Sequence, residues 1–145
     1  MTLSQRSVIK LRLWHWKLIP VLPNKMLVAQ WRECIAIKRQ WEKGTLKHRL
    51  VSYVMNYSKE YFLQYVQHIT WELRKRNIKY QEKYYLEIDN FCWQDEMTYT
   101  PCYYPEHNDR YLRQCYYNLQ EKYDRGIISQ EEWNWVNKNI GSEVE

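Results

Sequence analysis

The sequence predicts an all-α fold built as one compact domain, and three observations carry that prediction. Glycine and proline are scarce, three and four in 145 residues, so the turns that a many-stranded sheet needs are missing. Apolar side chains recur at helical spacing over several stretches. Residues that start and stop helices stand at the ends of those stretches. A chain of this length suits a single core, and 45% hydrophobic with 17% aromatic residues gives it enough apolar surface to fold. The expected organisation is a helical domain over residues 11–140, an N-terminal extension over 1–10 that stands apart from the native domain, and an acidic tail over 141–145.

The first helix is marked by Pro23 and Asn24 at its start and Gly44 at its stop, with Leu27, Trp31, Cys34, Ile35 and Lys38 at helical spacing between them. Leu46, Leu50, Tyr53, Val54 and Tyr57 form a second amphipathic stripe. Ser58 is placed to cap a third helix that carries Phe62, Tyr65, Val66, Ile69 and Leu73 inward. Residues 80–106 read as a long aromatic connection. A further helix starts at Asn108 or Asp109, turns Leu112, Cys115, Tyr116, Leu119 and Tyr123 to the core and ends at Gly126. Ser129 and Glu132 make a capping box for a last helix with Trp133 and Val136 on one side.

Charge is placed unevenly along the chain. The net charge is +5, but Lys38, Arg39, Lys43, Lys47, His48 and Arg49 face only Glu42, and Arg74, Lys75, Arg76 and Lys79 form a second basic block. Two such clusters on one face would suit a phosphate backbone, although solvated helix surfaces carry similar runs. The four cysteines, Cys34, Cys92, Cys102 and Cys115, lack CxxC spacing. No apolar leader is visible in residues 1–10, so the chain reads as a soluble, cytoplasmic protein with reduced thiols. No apolar run approaches the roughly 20 residues of a spanning helix.

Several chemistries are excluded by motif: there is no Walker loop, GxGxxG, GxSxG or HExxH. Two readings of the polar residues stay open. Cys92, Cys102, His107 and Cys115 are possible zinc ligands, and the run Glu106, His107, Asn108, Asp109 suggests a metal-dependent nuclease as readily as a turn and helix cap. Glu33 is the more informative carboxylate, because it lies mid-helix beside the apolar stripe, between Arg32 and Cys34. Partial desolvation there would raise its pKa and fit it for general acid–base work. A surface Arg–Glu pair flanking a buried tryptophan is the plainer alternative.

The stretch LIPVLPNKMLVAQWRECIAI, residues 18–37, resembles the first helix of the pyrimidine dimer DNA glycosylases of the bacteriophage endonuclease V type, where an Arg–Glu pair follows an aromatic residue. Here those are Trp31, Arg32 and Glu33. The resemblance continues through HRLVSYVMNYSKEYFLQYVQHITWELRKRNI, residues 48–78, and YYPEHNDRYLRQCYYNLQEKYDRGII, residues 103–128, and is closest to the bacterial branch. It implies a DNA repair glycosylase with linked abasic-site lyase activity and no cofactor, acting as a monomer on double-stranded DNA with a damaged or abasic nucleotide. The nucleophile it implies is the chain's own α-amine, with Glu33 as the assisting carboxylate and Arg32 on a flanking phosphate. The basic residues Lys38, Arg39, Lys43, Lys47, His48, Arg49, Arg74, Lys75 and Arg76 would bind the duplex, which the family kinks to extrude a nucleotide.

Two departures bear on that reading. The resemblance starts at Leu11, so a native start at codon 11, once the initiating residue is removed, would make the backbone nitrogen of Arg12 the amine. Thr2, after removal of Met1, is the other candidate. Phage members also carry a histidine at the place of Met26 and an arginine near Ala36, so their contacts do not transfer one by one. A catalytically silent DNA-binding module and a metal-dependent nuclease using the His107 and Asp109 region are the alternatives from other classes.

Overall fold

A computed structural model of the chain describes residues 11–144. The proposed extension over 1–10, with Thr2 in it, lies outside the described residues. The chain enters as an extended segment in which Leu11, Leu13, Trp14 and His15 are buried, followed by a 3-10 turn, Trp16–Val21. Then come α1 (Asn24–Lys43), a second 3-10 turn (Ser52–Asn56), α2 (Lys59–Lys75), α3 (Glu82–Cys92), α4 (Asp109–Asp124) and α5 (Gln130–Val144). No strand occurs among the described residues. Helices α1, α2 and α3 pack on one another, α4 pairs with α5, and the first 3-10 turn lies between the groups, touching both α2 and α5.

Local chemistry explains most boundaries. Gly44 takes the left-handed conformation (φ 74°) and its N–H reaches the carbonyls of Gln40 and Trp41, a geometry that a side chain would strain. Asn108 caps α4 by accepting from Tyr111 N at 2.9 Å. The capping box before α5 is formed, with Ser129 N donating to Glu132 Oε1 (2.8 Å) and Glu132 N to Ser129 Oγ (3.1 Å). Ser58 stands at the N-cap of α2 without a side-chain bond. Its role is taken by Asp95, whose carboxylate accepts from Lys59 N at 2.8 Å.

Three expectations need correction. The stripe over residues 46–57 is not a helix but turns leading into the 3-10 element, with Val51 and Val54 buried and Leu50 exposed. An i, i+3 pair fits a 3-10 turn as well as an α-helix, and a short α-helix has little to offset its nucleation. The connection over residues 80–106 contains α3, which buries Ile88, Phe91 and Cys92. The stretch set apart as an acidic tail belongs to α5, because Ile140, Gly141 and Val144 continue the buried face of Val136.

Candidate active site

The extended segment before the first 3-10 turn has no strand partner, so side chains must satisfy its peptide groups. Arg12 N donates to Glu33 Oε1 at 3.3 Å. Gln30, buried on α1 one turn before Glu33, accepts from Trp14 N at 2.8 Å and donates to Arg12 O at 2.7 Å. From α2, Tyr65 donates to Trp14 O at 2.6 Å, its hydroxyl also lying 3.0 Å from Gln30 Oε1. From α4, Tyr111 donates to Leu13 O at 2.6 Å. His107, on the loop before α4, receives the N–H of Trp16 on Nδ1 at 3.3 Å. That bond fixes its neutral tautomer, so Nε2 carries the proton and donates to Tyr53 Oη at 2.7 Å. Residues from three helices, one loop and the second 3-10 turn thus hold Arg12 N against one carboxylate.

The electrostatics of Glu33 follow from where it sits. Burial pushes its carboxyl up to about 7, against the opposing pull of the Arg12 N–H and guanidinium. At neutral pH such a group can both take and give a proton. Cys34 behind it is fully buried, its thiol held well above the usual range by burial and by Glu33. The Arg12 guanidinium stacks over the Trp14 ring at 5.0 Å.

The basic residues do not form one set. Arg32 is exposed on α1 next to Glu33, and Lys43, Lys47, Arg49, Arg74 and Lys75 are also exposed, with His48 half-buried. Lys38 is instead buried between Glu42 (2.8 Å) and Glu87 (3.2 Å), and Arg39 pairs with the same Glu87 through two bonds. Both cations hold α3 on α1, and the buried ammonium of Lys38 is not available to a phosphate. Arg76 serves the fold as well, bridging Glu72, Asn24 and the carbonyls of Ile19, Pro20 and Leu22. Lys25, beside Met26, donates to the Ile127 carbonyl.

The metal alternative loses its ligands. Both ring nitrogens of His107 are engaged, Asp109 is exposed at the start of α4, and the four cysteines are free and buried. Among the described residues no three His, Cys, Asp or Glu side chains gather as a metal site. No described helix is long and apolar enough to cross a membrane.

Sequence reading missed Gln30, Tyr65 and Tyr111 as parts of the site. Gln30 left one signal, a polar residue on the apolar face that Leu27 and Cys34 define. A family profile described as pyrimidine dimer DNA glycosylase matches residues 11–86, which includes Arg12 and Glu33 and stops short of residues 103–128. Among curated proteins and among solved structures, nothing matches the chain.

Proposed function

The chain belongs to the pyrimidine dimer DNA glycosylase family, and from that premise we propose that it excises a damaged base and cleaves the strand by imine chemistry between a chain-terminal amine at Arg12 and the nucleotide sugar. One observation supports this above the others: Arg12 N lies 3.3 Å from Glu33 Oε1. In a chain with residues before it, that nitrogen is an amide and not a nucleophile. In a chain whose first residue is Arg12 it is an α-amine, with a reference pKa of about 7.8, so roughly a quarter is neutral at pH 7.4.

The steps balance as follows. The neutral amine attacks C1′ of the damaged nucleotide, the N–C1′ bond forms, and the base leaves with the electrons of the glycosidic bond and picks up a proton. The sugar ring opens as C1′–O4′ breaks and O4′ is protonated, leaving an iminium. Glu33, as the carboxylate, stabilises that cation and removes a proton from C2′. The freed electron pair expels the 3′ phosphate by elimination. Water then hydrolyses the imine, releasing the amine and an unsaturated aldehyde on the cut strand. Arg32, exposed beside Glu33, is placed to hold a flanking phosphate, and Lys43, Lys47, His48, Arg49, Arg74 and Lys75 supply the salt-sensitive part of binding.

The test is a protein beginning at Arg12, released from a cleavable fusion, incubated with abasic-site duplex and borohydride. A covalent adduct mapping to the Arg12 amine is expected. Glu33→Gln should still shift the duplex yet leave the strand uncut. An adduct on a lysine, or none, rejects the mechanism, and a native intact mass that includes Met1 or Thr2 rejects Arg12 as the terminus.

A further inference from the structure

On the side of α2 away from α1, a groove of about 870 Å³ runs between the helix and the segment that follows α3. Four large aromatic side chains that line it are exposed: Trp71 (69%), Trp93 (49%), Tyr99 (78%) and Tyr103 (44%). Scattered apolar side chains need no explanation, but a concentration of this kind in one concavity does. The groove is also preformed. Glu60, only 4% exposed, accepts from Thr98 N, Thr98 Oγ1 and Tyr99 N, each at 2.8 Å. One turn on, Gln64 grips the next residues, donating to Thr100 O and accepting from Cys102 N, both at 2.7 Å.

That bonding holds Tyr99 at φ 59°, a conformation that costs a residue with a side chain about 1 kcal/mol or more. The effect is to present the phenol ring to solvent, near Trp93 at 6.0 Å between centroids. A buried carboxylate that enforces strain in order to expose an aromatic ring has no packing rationale. A ring-stacking ligand gives it one.

The polar character of the groove narrows the ligand. The amide groups of Gln64 are taken by the segment it holds, and a side-chain N–H of Gln67 goes to the Tyr85 hydroxyl. Of the charged side chains in the lining, Glu60 has its oxygens occupied, and Arg74 is an exposed cation at the Tyr80 end. Faces for stacking with a cation beside them match unpaired bases on a phosphate backbone. At the other end, Tyr103 packs at a tilt against Trp16, ring centroids 4.5 Å apart, four residues from Arg12, or at most about 14 Å of extended chain.

We propose that this groove is a binding site for unpaired nucleotides of a DNA single strand, with bases stacked on Trp71, Trp93, Tyr99 and Tyr103 and a phosphate held by Arg74. The site is separate from the Arg12–Glu33 pair and does not depend on the amine chemistry. Most of its far wall lies outside the residues that the family profile matches.

The test is a fluorescence titration of the full chain with a short undamaged oligothymidylate, against a backbone of equal length made only of tetrahydrofuran units, which carry neither a base nor an aldehyde and form no imine. The oligothymidylate should quench tryptophan emission and bind more tightly than the abasic strand. Trp71→Ala and Tyr99→Ala should each weaken it by about tenfold, with Trp71→Phe restoring most of the loss and circular dichroism unchanged. Equal affinity for the two strands would reduce the effect to charge and overturn the site. So would wild-type affinity in Trp71→Ala, or emission that responds to protein concentration and not to DNA, which would mark the face as a contact between copies. Borohydride trapping can succeed or fail independently of each of these outcomes.

Discussion

Glu33 is ionised at a cost to the fold, and that cost is measurable. Its carboxyl is raised from 4.5 to about 7, first by burial. Between those values the folded chain keeps a proton that the unfolded chain has released, so the native state loses stability as pH rises from 4.5 through 7. Each unit corresponds to about 1.4 kcal/mol, and because solvent reaches part of this half-buried carboxylate and screens it, the penalty above neutrality is reduced to on the order of 2–3 kcal/mol. Glu33→Gln keeps an oxygen to accept from Arg12 N and removes the charge. The variant should therefore melt several degrees above the parent near pH 8 and level with it near pH 4, as read by thermal denaturation at the two pH values. Equal melting near pH 8 would mean that the carboxylate is solvated. The strand-cleavage rate of the parent should rise with pH through about 7, because removal of the C2′ proton needs the ionised form. A rate flat across that range would remove Glu33 from the step.

At the scale of the element, α1 does the positioning, because Gln30 and Glu33 are one turn apart and meet the same segment. Gln30→Ala would orphan Arg12 O and Trp14 N, at about 1–3 kcal/mol of stability, and free Arg12 N from its carboxylate. Cleavage should fall by up to about 100-fold with duplex affinity little changed, a drop in kcat without a rise in KM. An unchanged kcat would leave Gln30 a purely structural residue. Helix α1 was legible in sequence because its signals are local: Pro23 at the start, Gly44 at the stop, a stripe between. Glu33 stood out beside that stripe. Gln30 did not, since its partners are 16 and 18 residues away and no local pattern encodes them. The same holds for Lys38, whose basic block read as a phosphate surface until Glu87, 49 residues on, turned it inward. Helix α3 escaped because its inward face is made of tyrosines beside Ile88 and Phe91 and its N-cap Gln81 makes no side-chain cap.

Across the whole molecule, the two helical groups close on the entering segment from opposite sides, and histidines make the seam. His107 and Tyr111 reach Trp16 and Leu13 from 91 and 98 residues away. His15 and His107 lie 5.4 Å apart between ring centroids. Tyr53, Tyr65, Tyr104 and Tyr111 surround His107, while Lys17 and Asp109 act on His15 from nearby. Burial lowers His15 to about 4 and His107 to about 3, from 6.5. For a base shifted down, the unfolded chain binds the extra proton first, so the stability from these neutral rings is fully present above 6.5 and is lost as pH falls through 4 and then 3. With two protons involved, the free energy of unfolding should fall by up to about 2.7 kcal/mol per pH unit in that window. Protonation of His107 Nδ1 also removes the acceptor of Trp16 N, so the segment carrying Arg12 should loosen as the fold weakens. His107→Gln, with an amide oxygen for Trp16 N and nothing to protonate, should remove about half of that acid slope. Urea unfolding at a series of pH values from 6.5 to 4 measures the slope directly. An unchanged slope in the variant would mean that His107 titrates alike in both states, and the histidine seam would then not be what ties acid stability to the site.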